Sequence, residues 1–166
     1  MILGLSFELF TLLHMIISLV GIAAGLVVLS GILGSKNRAG WTAVFLIATV
    51  LTSLTGFPIP PFGFDPPRVI GSISLILLAA AILAYYVFHL QGAWRWIFVV
   101  TAVMSLYLNV FVFVVQAFQK LAFLQPLAPT QSEPSFVIAQ LIVLALFAGL
   151  GFLSVRRFYP ALNTKI

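Results

Sequence analysis

The sequence predicts an all-α integral membrane bundle of five transmembrane helices, on three observations. Hydrophobic residues make up 63% of the 166-residue chain and charged residues only 7%. The mean hydropathy is +1.23. Five long apolar runs are separated by short segments holding most of the glycines, prolines and charges. A water-soluble globule needs more polar surface than this to cover its core. Because every interval between runs is short, residues 1–166 read as a single helical domain embedded in a lipid bilayer.

The first run, about 7–33, is too long for a signal-peptide core and lacks a cationic start, so it reads as a retained helix. It ends at Gly34-Ser35-Lys36-Asn37-Arg38-Ala39-Gly40, a polar turn. The second run, about 41–57, stops in the segment 57–68, whose five prolines predict a stiff extended loop. The third, about 69–90, is followed by the tight link Gln91-Gly92-Ala93. The fourth spans about 94–124. Thr130-Gln131-Ser132-Glu133 then has the spacing of a capping box and predicts the start of the fifth helix, about 136–155, which Arg156, Arg157 and Pro160 terminate.

Five spans put the termini on opposite sides. Lys36, Arg38, Arg95, Arg156, Arg157 and Lys165 share one side against Arg68 and Lys120 on the other, so the positive-inside rule predicts N-terminus out and C-terminus in. Trp41, Trp94 and Trp96 fall at the inner boundary, where indole rings favour the headgroup region. The net charge of +5 is explained by this placement, since no basic stripe suited to nucleic acid exists. The acidic residues Glu8, Asp65 and Glu133 fall on the outer side and carry little weight in orientation.

Amides and imidazoles in hydrocarbon are costly unless bonded, so they should face the bundle interior. On the fourth helix Ala102, Ser105, Asn109, Phe113, Gln116 and Lys120 lie near one line, with Tyr107, Val110 and Val114 pointing away from it. Matching faces are Thr11, His14, Ser18, Gly21 and Gly25 on the first helix, Thr49, Ser53 and Gly56 on the second, and Gln140, Leu144, Phe147 and Gly151 on the fifth. Gly21 and Gly25 form a G-x-x-x-G, the pattern that lets a neighbouring backbone approach closely, whether in this chain or in another copy. His14, Thr11, Ser53, Asn109, Gln116 and Gln140 are therefore the candidates for one polar network or ligand pocket in the outer half, with His14 roughly 10 Å below the outer boundary.

His14 and His89 raise the question of a haem held by two imidazoles. Helical rise sets them about 20 Å apart along the membrane normal, too far for one iron, and His89 beside Tyr85, Tyr86 and Trp94 reads as an interfacial residue. The chain has no cysteine and lacks H-E-x-x-H, Walker A and G-x-S-x-G motifs, so hydrolytic, nucleotide-driven and thiol chemistry have no visible apparatus. The leading reading is an accessory or scaffold subunit, alone, as a homo-oligomer or in a larger membrane complex. The alternatives are a permeation or binding protein for a proton or small solute, and a redox component binding haem or quinone.

At 94–103, 106–118 and 127–134 the chain resembles small multi-pass inner-membrane proteins of proteobacteria that have no assigned activity. The resemblance implies a bacterial source, the cytoplasmic (inner) membrane and a multi-pass topology. It implies no substrate. The proline-rich segment 57–68 is the part least typical of that group.

Overall fold

The computed structural model describes residues 4–60 and 66–160. Its elements are α1 (Phe7–Leu33), α2 (Ala39–Gly56), α3 (Pro66–Ile82) prolonged by a π-helical turn (Leu83–Val87), α4 (Ala93–Lys120), a 3-10 turn (Gln125–Leu127) and α5 (Pro134–Arg157). All five long helices have the length and composition to cross a membrane. Asp65 and Lys165, used above in counting charges, lie outside the described residues, as does the centre of the proline-rich segment.

Side-chain bonds at both ends show that the helices alternate in direction. At one end His14 of α1 meets Thr55 of α2, Arg68 of α3 donates to the carbonyls of Phe57 and Ile59, and Gln131 reaches the Val115 carbonyl of α4. At the other, Tyr85 donates to Asn37, Arg95 to the carbonyls that end α5, and the Tyr159 amide to Ser35. Lys36, Arg38, Arg95, Arg156 and Arg157 gather at this second, basic end, together with Trp41, Trp94 and Trp96.

Helix ends follow local chemistry. Ser6 caps α1 by accepting the Leu9 amide at 3.2 Å. The segment predicted as a loop to residue 68 is shorter than that: Pro66 and Pro67 open α3, because proline in the first helical turn forfeits an amide that had no partner anyway. The capping box also shifts. Thr130 would be its N-cap, but Pro134 takes the first helical position and holds Glu133 extended, so Glu133 becomes the N-cap. Its carboxylate reaches back to the amides of Thr130 and Ser132 and the Thr130 hydroxyl. Slight desolvation opposes ionisation there, and those hydrogen bonds outweigh it, holding the carboxyl below its ordinary range. The third helix does not run regularly to Leu90. It widens into the π turn, where the Phe88 amide bonds the Leu83 carbonyl at 2.9 Å, and His89 and Leu90 then adopt left-handed backbone.

α4 packs against each of the other four helices. The apolar core lies between α1, α2, α3 and α4 around Ala24, Phe45, Leu78, Phe98, Val99 and Leu106. α5 joins by a narrow stripe, Gln140, Phe147 and Ser154, recurring every seven residues as in a coiled-coil seam. Leu144, expected on that face, is exposed, because so thin a stripe excludes it.

The G-x-x-x-G of α1 finds its neighbours within this chain. A Cβ at Gly25 would stand 2.6 Å from Leu106 and 2.9 Å from Phe45, and one at Gly21 would stand 3.2 Å from the Thr49 hydroxyl. Gly25→Leu is therefore expected to lower stability in mixed micelles by about 1–3 kcal/mol or more through overpacking. Gly149→Ala, whose new Cβ would meet nothing within 4 Å, should leave stability unchanged. Equal unfolding of the two variants would show that the α1 seam is not close-packed.

Candidate functional site

The end of the bundle opposite the basic residues holds a cleft of about 80 Å³ bounded by all four core helices. His14 and Ser18 come from α1, Thr52, Ser53 and Gly56 from α2, Gly71 and Ser74 from α3, and Leu108, Asn109 and Val112 from α4. Phe57, Pro67, Arg68 and Ile70 complete the lining. Three residues singled out from the sequence, His14, Ser53 and Asn109, thus share one cleft.

The other three lie apart from it. Thr11 turns its hydroxyl to its own helix, donating to the Phe7 carbonyl at 2.9 Å. Gln140 donates to the Phe111 carbonyl at 3.2 Å and ties α5 to α4. Gln116 is half-buried, and Phe113 and Lys120 are exposed, so the α4 stripe leaves the interior beyond Asn109. There the burial passes to Phe118, which packs edge-on against Phe136. Tyr107, facing away from the stripe, is no lipid-facing residue either: it packs on Phe147 of α5.

Two of the four hydroxyls lining the cleft are satisfied inside their own helix. Thr52 and Ser53 donate to the carbonyls of Ala48 and Thr49 at 2.9 and 3.0 Å, the back-bonding typical of helical Ser and Thr. Thr55 donates to Leu51 at 2.6 Å, with a weaker branch to Thr52 at 3.3 Å. Its single hydrogen is thereby spent. With the Thr55 hydrogen on the Leu51 carbonyl, the 2.8 Å contact between Thr55 Oγ1 and His14 Nδ1 has the imidazole as donor, the Nδ1–H tautomer of a neutral ring. Nε2 is then left as an acceptor.

Among the described residues, two fully buried cleft-lining groups have no partner. Ser74 Oγ and Asn109 Nδ2 are buried, at 3% and 9% residue exposure, and make no hydrogen bond among the described residues. Each such group carries a desolvation cost of about 1–3 kcal/mol. Ser74 was invisible in the sequence reading because α3 shows only short polar punctuation, though Gly71 and Ser74, three residues apart, do mark one helical face. Arg68, at the α3 end of the cleft, uses its guanidinium on the carbonyls of Phe57 and Ile59 at 3.2 and 2.8 Å, terminating α2.

The cleft is floored by the Gly25 seam. Phe45, Leu78 and Leu106 are at most 1% exposed, and the packing there leaves no space for a further methyl group on Gly25. His89 sits at the far, basic end, beyond the π turn, exposed and separate from His14. Among the described residues no three His, Cys, Asp or Glu side chains gather in a metal-binding group. Compared with family models, curated proteins and solved structures, the chain finds no match.

Among the described residues, the His14–Thr55 bond is the one side-chain hydrogen bond that ties α1 to α2 at this end. A double-mutant cycle with His14→Phe and Thr55→Val should give a coupling of about 0.6 kcal/mol and no more than about 1.7. Zero coupling in unfolding measurements would mean that the two side chains do not interact.

Proposed function

We propose that this chain is a multi-pass protein of the bacterial cytoplasmic membrane, N-terminus out, which holds a small polar solute in the cleft between α1 and α4. The observation that carries the reading is the pair of unpartnered, buried groups Ser74 Oγ and Asn109 Nδ2 in the cleft wall. Buried polar groups are ordinarily satisfied, and a ligand supplies what the protein leaves open. The positive-inside rule places the cleft on the outer side. The sealed seam beneath it favours binding over conduction, since a solute entering from outside meets closely packed hydrocarbon at Phe45 and Leu106.

The test compares small molecules retained after gentle purification from native membranes. Wild-type protein should carry a polar compound that Ser74→Ala and Asn109→Leu lose. Freed of bound compound, all three proteins can be compared, and both variants should then unfold at or above the wild-type temperature, because each removes a buried group lacking a protein partner. Identical small-molecule profiles in all three proteins would sink the reading.

A second reading, an accessory subunit in a larger membrane complex, is favoured by α5. That helix attaches by one narrow stripe and exposes Val137, Ile138, Leu141, Ile142, Leu146 and Phe152. A photoreactive residue replacing Ile142 should crosslink to another polypeptide in native membranes. Adducts to lipid alone would remove this reading.

A further inference from the structure

We propose that the cleft recognises an uncharged molecule of about four heavy atoms that presents a hydrogen-bond donor and an acceptor side by side, as a primary amide or a small alcohol does. The inference rests on the solute-binding reading and adds the ligand's chemistry.

It follows from which atoms are already used. His14 Nδ1 spends its hydrogen on Thr55, so the neutral ring offers a lone pair at Nε2 and asks the ligand for a donor. Asn109 Nδ2 carries hydrogens with no acceptor in the protein and asks the ligand for one. Ser74 Oγ, also unpartnered, can serve in either sense and accommodates either end of such a molecule. Of the remaining hydroxyls, Thr52 and Ser53 have their hydrogens committed to α2 carbonyls, and the half-buried Ser18 can donate or accept.

Charge and size narrow the class further. No acidic side chain lines the cleft among the described residues, so nothing there compensates a cation. Arg68, the cation in the lining, is bonded to the Phe57 and Ile59 carbonyls, and an anion would bring a second lone pair against His14 Nε2, where a donor is wanted. At about 80 Å³ the space is roughly half that of a ~150 Å³ cavity able to hold benzene. Ile70, Leu108 and Val112 contribute apolar wall, suited to the short hydrocarbon part of an amide or alcohol.

Probes of matched size test this on the wild-type protein. Protein carrying 15N-labelled asparagine, in detergent and at mildly alkaline pH where an imidazole is neutral, would be titrated with acetamide, acetone and acetate while the Asn109 side-chain amide signals are followed. Acetamide should shift those signals saturably. Acetone, an acceptor without a donor, should bind roughly tenfold or more weakly, as should acetate. A Ser74→Ala protein with native thermal stability should lose affinity for acetamide by a similar factor. Acetate or acetone binding as well as acetamide would overturn the donor–acceptor chemistry while leaving a solute cleft in place. Unmoved Asn109 signals with every probe would overturn the solute reading and this inference with it.

Discussion

Everything at the cleft depends on how closely α1 lies against α2 and α4, and that approach is set by Gly21 and Gly25. At Gly25 there is no room for a Cβ between Leu106 and Phe45. In lipid, helices gain little from hiding apolar surface, since the surrounding tails are equally apolar, and close packing has to supply the attraction. The two glycines allow it. They also fix the level of His14, two turns above Gly21, and so bring its ring within reach of Thr55. The same seam closes the cleft from below, making one packing interaction responsible for both the site's floor and its wall.

Within that frame, the polar side chains divide by whether a helix can satisfy them itself. Serine and threonine can return their hydroxyl to the carbonyl one turn back, as Thr52, Ser53 and Thr101 do. Such groups cost little in a membrane and do little between helices. Asparagine has no comparable intrahelical solution for both hydrogens of its amide, and Ser74 does not take the one available to it. Sequence position alone therefore overstates how many polar residues bind helices together. Of the six candidates, Gln140 bonds across an interface to α4 and His14 to α2, whereas Thr11 bonds only to its own turn.

Five helices were legible because the signal is simple: long apolar runs separated by short polar, glycine- and proline-bearing segments. What sequence could not show came from competition between local preferences. Prolines usually stop a helix, yet Pro66 and Pro67 start one, and nothing short of the chain's direction distinguishes the two. The π turn before His89 has no sequence mark, for it arises where the chain reverses toward α4. The α4 stripe was read as continuous because periodicity carries no information about where neighbouring helices stop. Past Asn109 the interior ends, and Phe113 and Lys120 continue the line into exposure. Ser74, the residue that completes the cleft, gives no periodic signal: the two serines of α3, Ser72 and Ser74, stand two positions apart on different faces of an otherwise apolar helix.

The chemistry of the cleft also bears on the choice between a path and a pocket. A proton or ion path needs polar groups or water on both sides of any constriction, since a charge in unrelieved hydrocarbon costs several kcal/mol even by the lower measured scales. Below Asn109 the core passes to Leu78, Phe45 and Leu106, then to Val99 and Phe98, all at most 1% exposed. The polar side chains at that level are the hydroxyls of Thr42 and Thr49 on α2 and of Thr101 and Ser105 on α4, and neutral hydroxyls do not compensate a charge carried across two helical turns. An uncharged solute faces a smaller penalty for entering but the same steric closure. The arrangement is therefore that of a pocket open at one end, whose occupant is bound through His14, Asn109 and Ser74 and leaves by the way it came.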